Sequence, residues 1–135
     1  MRVDYEYISG ILNRFLDSDS PVLYLSNFKK ELNEDDNKLF FHLLILRDKS
    51  IITGPGTRGQ TIGIQFNDNT NEYDYWLVAL RLTAEGHDFA DAITKPSIKE
   101  VVLDKFRNEG ISAVVDLSKR IALKQAERKL DDLLS

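Results

Sequence analysis

The chain has 135 residues, of which 42% are hydrophobic and 30% charged. That is enough apolar material for one folded domain with its own core, and it excludes a disordered segment. The chain contains no cysteine and only two histidines, which excludes disulfide frameworks, thiolate zinc sites and cysteine nucleophiles. The first residues lack the apolar stretch of a signal peptide, and no apolar run approaches the roughly 20 residues that cross a bilayer. We therefore expect a soluble, cytoplasmic protein without a membrane partner.

The charge is unevenly distributed along the chain. Residues 1–95 carry 10 basic and 15 acidic side chains, whereas residues 96–135 carry 8 basic and 7 acidic ones. DNA-binding domains usually have the opposite sign, because the neutralisation of phosphates supplies most of their non-specific affinity. The charge balance therefore disfavours DNA as a partner.

The first part of the chain predicts three helices. Apolar residues recur at helical spacing from Tyr7 to Leu16, and Pro21 cannot continue that helix. Ser26 is a suitable N-cap for a short second helix over 27–32. A turn over 33–36 then supplies another N-cap, and a longer third helix is expected over 36–48.

The period then changes from that of helices to that of strands. Residues 51–53 form a β-prone run, residues 61–66 alternate in the manner of a strand, and residues 75–82 form a second β-prone run after a polar turn. We expect one core to contain an inward residue from each of these elements: Phe15, Leu43, Ile62, Trp76 and Leu80. Two strands that follow three helices have the order of a winged helix.

The remaining residues predict three more helices. Thr83 is expected to cap a helix over 84–94, and a further helix is expected to begin after Ser97 and to end at Gly110. Residues 111–134 are consistent with one long helix. The sequence therefore predicts an α+β fold, with a winged helix (three helices and a β-hairpin wing) over residues 1–95 and a C-terminal helical extension over residues 96–135.

Three segments resemble a known bacterial and prophage family. They are residues 40–46 (FFHLLIL), 50–52 (SII) and 82–93 (LTAEGHDFADAI). The pattern is similar to that of domain-of-unknown-function family 2513, which contains prophage-associated, YjcQ-like winged-helix proteins. The resemblance covers about residues 5–130, although Phe41 stands where the family has tyrosine and residues 48–50 replace its glycine-containing turn. It implies a winged helix with C-terminal helices, and it implies no activity and no functional residues.

The third helix is the element that a winged helix would insert into DNA. Its first turns contribute Glu34, Asp35 and Asp36, which phosphates would repel. The alternative is that these carboxylates merely cap the helix and complement its dipole. If DNA is bound nevertheless, the contacts are expected from the basic side chains Lys29, Lys30, Lys38, Arg47, Lys49 and Arg58.

No spacing of residues predicts catalysis or a cofactor. The glycine-rich segment 54–60 precedes a strand and lacks the end of a phosphate-binding loop, so we interpret it as a bend. His42 lies on an apolar helical face and is expected in the core, and His87 is expected to pack at the corner between strand and helix. The scattered carboxylates form no convergent group. We therefore expect no enzymatic activity, no cofactor and no metal.

Two segments are candidates for contact with other proteins. Tyr73, Tyr75 and Trp76 could anchor a partner, although a core position is favoured for Trp76. The last helix has apolar residues on more than one face, and the candidates for self-association are Leu123, Ala126, Leu130 and Leu133. A second copy of the chain or the preceding helix could cover them. We expect a protein-interaction or regulatory module that forms a homodimer, and the alternative is a DNA-binding transcriptional regulator.

Overall fold

A computed structural model describes residues 1–56, 61–97 and 99–135 of the chain. Within these residues the fold is α+β, with five α-helices and four short strands. The helices are α1 (Tyr5–Asp17), α2 (Lys29–Asp48), α3 (Ala84–Thr94), α4 (Lys99–Glu109) and α5 (Ile111–Leu134). The strands are β1 (Ile52–Thr53), β2 (Ile64–Asn67), β3 (Glu72–Tyr75) and β4 (Arg81–Leu82).

Helix α2 consists of two helical stretches separated at Asp35. This residue has non-helical backbone angles (φ −164°, ψ 92°), and its carboxylate accepts the backbone N–H of Lys38 at 3.1 Å. The break confirms the predicted turn with its N-cap between a second helix and a third. The predicted cap at Ser26 is wrong, because a 3₁₀ turn occupies Leu25–Asn27 and α2 begins at Lys29.

The strands form two small antiparallel pairs. β1 pairs with β4, with Ile52 opposite Leu82, and β2 pairs with β3 in a hairpin. Leu80, immediately before β4, exchanges two backbone hydrogen bonds of 2.8 Å with Leu23, which lies between α1 and α2. Residues 80–82 are thus hydrogen-bonded both to Leu23, which precedes α2, and to β1, which follows α2.

One hydrophobic core joins α1, α2, α3 and the strands. Four of the five predicted core residues belong to it, namely Phe15, Leu43, Ile62 and Leu80. The core is completed by large buried side chains from the same elements, among them Ile8, Leu12, Phe28, Leu39, Phe40, Leu46, Ile52 and Phe89.

The prediction that Trp76 belongs to this core is wrong, because its side chain is 45% exposed. Successive strand residues point to opposite sides of a sheet, and Tyr75 takes the side that faces the Phe40 ring of α2, at 5.4 Å. Trp76, the next residue, continues the hairpin by donating its backbone N–H to the Gly63 carbonyl at 2.9 Å. The apolar run over 75–82 therefore consists of the last residue of β3, an irregular link over 76–80, and β4.

The start of α3 is fastened to the end of α2 by Thr83 and Gly86. The Thr83 hydroxyl accepts the Gly86 backbone N–H at 2.8 Å and donates to the Ser50 carbonyl at 2.6 Å. Gly86 is buried, and a Cβ atom there would lie 2.0 Å from the Ile51 carbonyl oxygen. The threonine and glycine of the segment LTAEG thus have a structural role that needs no ligand.

Helices α4 and α5 pack on the rest of the fold with part of their surfaces. Val102 of α4 and Val114 of α5 are buried in the common core. Gly110 separates the two helices with a positive φ of 85°, which confirms the predicted helix end. α5 is the single long helix that the sequence predicts, and it contacts α3 and α4.

Candidate functional site

The second stretch of α2 begins with exposed carboxylates. Glu34, Asp35, Asp36 and Asn37 are all exposed. The nearby Tyr7 hydroxyl reflects this negative charge: burial first, and then the carboxylates of Glu31, Asp35 and Glu34, raise the pKa of Tyr7 to about 12. The start of this helix is therefore a surface of negative potential.

Lys38, the first basic residue of this stretch, is engaged within the fold. Its ammonium lies 3.1 Å from an oxygen of Asp4 and 4.7 Å from the centre of the Tyr7 ring. Burial acts to raise the pKa of Asp4, but the Tyr7 backbone N–H and the Lys38 ammonium outweigh it, and the net shift is downward. The two contacts fix the ammonium against α1 and reduce its availability for a phosphate.

The other basic residues proposed for DNA lie at the two ends of α2 and have different neighbours. Lys29 and Lys30 are exposed at the start of α2, Arg47 pairs with Asp48 at 3.1 Å, and Lys49 donates to the Ser112 hydroxyl of α5 at 2.6 Å. Along the helix axis, Lys38 and Lys49 are about 16 Å apart at 1.5 Å per residue. Arg58 lies outside the residues that the structure describes.

The hairpin β2–β3 has one aromatic face. The strand register places Phe66 opposite Tyr73 and Ile64 opposite Tyr75, so these four side chains share a side. The Phe40 ring of α2 lies 5.5 Å from Tyr73 and 5.4 Å from Tyr75, and the Phe66 ring lies 5.1 Å from Tyr73. α2 covers this face only in part, because Phe66 is 44% and Tyr75 49% exposed.

Exposed apolar side chains continue beyond the hairpin into the link before β4. Leu77 is 57% and Trp76 45% exposed. We name these four exposed apolar residues of the hairpin and the link the hairpin surface: Phe66, Tyr75, Trp76 and Leu77. Within it, Trp76 points to the side of the strand opposite to Phe66 and Tyr75. The sequence indicates Tyr75 and Trp76 as candidate contacts for a partner. It does not indicate Phe66 and Leu77 as such. The available signal was the alternation of Glu72 and Asp74 with Tyr73 and Tyr75, which predicts a hairpin with one aromatic and one acidic face.

His42 is buried and makes two hydrogen bonds within the fold. Its Nε2 accepts the Asp4 backbone N–H at 2.9 Å, and its Nδ1 lies 2.7 Å from the Lys38 carbonyl, which only an N–H can satisfy. The ring is thus the neutral Nδ1–H tautomer, and burial lowers its pKa. The prediction of a core histidine is confirmed.

His87 lies at an open cleft of about 720 Å³ between the segment after α1 and the start of α3. Phe15, Leu82 and Arg81 are among the other lining residues. In the described part of the chain, no three histidine or carboxylate side chains converge as a metal site would require. The cleft is thus lined by an exposed imidazole, a guanidinium and the carboxylate of Asp19.

The outer face of α5 carries a row of exposed apolar side chains. Leu123 is 60%, Leu130 56% and Leu133 83% exposed, and Ala126 is exposed between them. The alternative that α4 covers these residues within one chain is wrong, since Leu123, Leu130 and Leu133 stay exposed in the chain that contains α4. None of the helices in the described ranges is both long and apolar enough to cross a membrane.

No family model, curated protein or solved structure matches the chain. The resemblance to family 2513 stays a prediction, and the functional argument depends on the surfaces themselves.

Proposed function

We propose that residues 1–95 form a winged helix that acts as a protein-interaction and regulatory module and not as a reader of DNA. The order of elements supports the winged helix: a helix, an extended residue (Leu23), two helical stretches, a hairpin, and a segment after the hairpin that bonds back to Leu23. In this assignment, residues 36–48 take the place of the recognition helix, and the hairpin β2–β3 takes the place of the wing.

The acidic start of residues 36–48 is the observation that carries the proposal. A recognition helix presents its first turns to the bases and phosphates of the major groove. Here those turns present Glu34, Asp35 and Asp36, and Lys38 is held by Asp4. Since phosphate contacts supply most of the affinity for DNA, this helix start opposes DNA binding, whereas a protein partner tolerates it.

The hairpin surface supports a protein partner. Aromatic side chains, and tryptophan and tyrosine above all, dominate the binding energy of protein interfaces. Trp76 and Leu77 are each about half exposed, so a partner could bury their remaining area without unfolding the domain. The neighbouring Glu72 and Asp74 favour a partner with basic residues around an apolar centre.

Fluorescence anisotropy with duplex DNA tests the first half of the proposal. At about 0.15 M salt, the wild type is expected to show no sub-micromolar binding. The double variant Glu34→Lys, Asp36→Lys should gain affinity if the helix occupies the groove-facing position. Tight binding by the wild type would overturn the proposal. Lys38→Ala and Arg58→Ala should then each weaken binding to all sequences and lower the salt slope by about one.

Affinity capture followed by titration tests the second half. A protein captured by the wild type, after nuclease treatment, is expected to be lost with Trp76→Ser, Leu77→Ser. It should be retained with the matched surface variant Lys29→Ser, Lys30→Ser. The captured protein is then purified and titrated, and the hairpin variant should bind at least tenfold more weakly. Equal affinities for the two variants would show that the hairpin surface is not the interface.

A further inference from the structure

The segment 80–82 has a strand partner along only part of one edge. Leu80 exchanges two backbone hydrogen bonds of 2.8 Å with Leu23, and β1 pairs with the other edge. If the same antiparallel register continued, Pro21 would lie opposite Leu82 and exchange the next two bonds with it. Proline has no N–H to donate, so this second pair cannot form as the first one does.

The chain before Leu23 forms turns instead of a strand. The Ser18 hydroxyl accepts the Ser20 backbone N–H at 3.1 Å, and the Ser20 hydroxyl accepts the Val22 backbone N–H at 3.2 Å. Such local bonds from hydroxyl groups compete with strand pairing. The cleft of about 720 Å³ lies between this bend and the start of α3, and Leu82 is among the residues that line it. The cleft therefore follows the edge that the bend leaves without a strand.

The backbone N–H of Leu82 points to this edge. The next residue, Thr83, donates its N–H to the Ile51 carbonyl beside β1 at 3.0 Å, whereas Leu80 donates to Leu23 on the other side. Backbone groups of successive strand residues alternate between the two edges, so the Leu82 N–H faces the same way as that of Leu80. Among the described residues, no carbonyl or side chain accepts it. Since Leu82 is only 4% exposed, this donor is placed for a ligand that enters the cleft.

Three ionisable side chains stand at the rim of the cleft. Arg81, His87 and Asp19 line it, and all three are exposed. None of them takes part in an ion pair within the ranges that the structure describes. Arg81 donates one N–H to the Leu82 carbonyl at 3.3 Å, which places the guanidinium beside the Leu82 backbone. A guanidinium has five N–H donors, so the others remain for an anion.

The interior of the cleft is apolar. Phe15 and Leu82 are core residues whose remaining surface lines the cleft, and Leu16, Pro21 and Ala84 line it as well. Sites for small molecules have volumes of about 300–1,000 Å³, with apolar walls and a few polar groups that fix the orientation of the ligand. The cleft has this composition.

We propose that the cleft binds a hydrophobic monocarboxylate. The Arg81 guanidinium and the Leu82 N–H share the carboxylate, since a planar guanidinium matches its two oxygens, and the apolar body of the ligand lies over Phe15 and Leu16. Asp19, on the other wall, disfavours a second negative charge, which selects against dicarboxylates and phosphate esters. This site shares no residue with the hairpin surface and is independent of the proposed protein interaction.

Titration of the isotope-labelled protein with naphthylacetate, followed by NMR, tests the site. The amide signals of Leu82 and His87 should shift with a Kd of about 0.1–1 mM, the affinity expected for a ligand of about 14 heavy atoms. Naphthylacetamide has the same shape without the charge and should bind about tenfold more weakly. Acetate, which has no apolar body, should leave the signals in place.

Two results of these titrations would overturn the proposal. One is equal affinity for the acid and the amide, which would show that no cation contacts the carboxylate. The other is the absence of shifts at the cleft in millimolar naphthylacetate. Shifts confined to Trp76 and Leu77 count as this second result, because they would place the probe on the hairpin surface.

Replacement of the guanidinium tests its contact with the carboxylate. Arg81→Met should lower the affinity for naphthylacetate about tenfold and leave that for naphthylacetamide unchanged. The matched control is Arg128→Met at an exposed position of α5, which should change neither affinity. Because both arginines are exposed, the two variants should keep the wild-type circular dichroism spectrum. Wild-type affinity of Arg81→Met for the acid would contradict the assigned contact.

A bulky side chain at the rim tests the location of the ligand. Ala84 is exposed at the first residue of α3 and lines the cleft, so Ala84→Phe should fill the cleft and prevent binding of both the acid and the amide. Glu85→Phe makes the same addition at the next exposed residue, which does not line the cleft, and should leave both affinities intact. Undiminished binding to Ala84→Phe would show that the ligand lies elsewhere.

Discussion

Gly86 has no Cβ atom, and this allows the start of α3 to lie against the backbone of Ile51, just after α2. The carbonyl of Ile51 occupies the space that a Cβ atom would need. The same carbonyl accepts the backbone N–H of Thr83 at 3.0 Å, so it cannot move without loss of that bond. The glycine of the LTAEG segment is therefore required by backbone packing.

Gly86→Ala is expected to destabilise the protein by about 1–3 kcal/mol, as overpacking in a rigid site does. Gly10→Ala is the matched control, since Gly10 is also within a helix and nothing lies within 4 Å of its Cβ position. That change should stabilise by about 0.5–1 kcal/mol, because alanine favours the helix. Urea unfolding measures both effects, and equal effects of the two changes would contradict the packing argument.

At the scale of elements, His42 and Lys38 of α2 hold the start of α1. His42 accepts the Asp4 backbone N–H, and the Lys38 ammonium pairs with the Asp4 carboxylate. Asp4 in turn caps α1 by accepting the Tyr7 backbone N–H at 3.1 Å. Protonation of His42 would remove the acceptor for Asp4, so this junction depends on pH.

We expect stability to fall as the pH is lowered from about 7 to 5.5. The pKa of His42 is lowered in the folded state, whereas an unfolded histidine titrates near about 6.5. Below that pH the unfolded state binds more protons, which favours unfolding. The lowered pKa of Asp4 acts in the same direction at more acidic pH. Urea midpoints over this range measure the effect.

The two histidines provide the control for this pH dependence. His42→Gln should flatten the dependence between about pH 7 and 5.5, and His87→Gln, at an exposed position, should leave it in place. An unchanged slope in His42→Gln would assign the dependence to other groups.

The sequence predicted the elements whose signals are local. Thr83 as the N-cap and the apolar positions of α3 fix that helix at Ala84–Thr94 as expected, and the core positions of Leu43 and Phe15 follow from helical spacing. The exposure of Trp76 depends on which side of the hairpin faces α2, and an unbroken apolar run carries no such information. The contact between Lys38 and Asp4 joins residues far apart in sequence, so it could not be predicted either.

At the scale of the whole molecule, α5 divides into a part that stabilises the body and a part that does not. Val114 and Ser118 are buried, and Ile121, Ala122 and Gln125 lie beside α3. Beyond Gln125, every residue is exposed. The last turns of α5 therefore contribute little to the stability of the monomer and, in the homodimer that the sequence predicts, much to that of the dimer.

Removal of residues 126–135 separates these contributions. At sub-micromolar concentration, where the predicted homodimer should be dissociated, the truncation should change the free energy of unfolding by less than about 0.5 kcal/mol, as surface changes do. At higher concentration the Tm of the full chain should rise with concentration, because association stabilises the folded state by mass action. The Tm of the truncated chain should stay constant. Differential scanning calorimetry over a hundredfold range of concentration measures both, and a large loss of stability at the lowest concentration would show that the end of α5 supports the body itself.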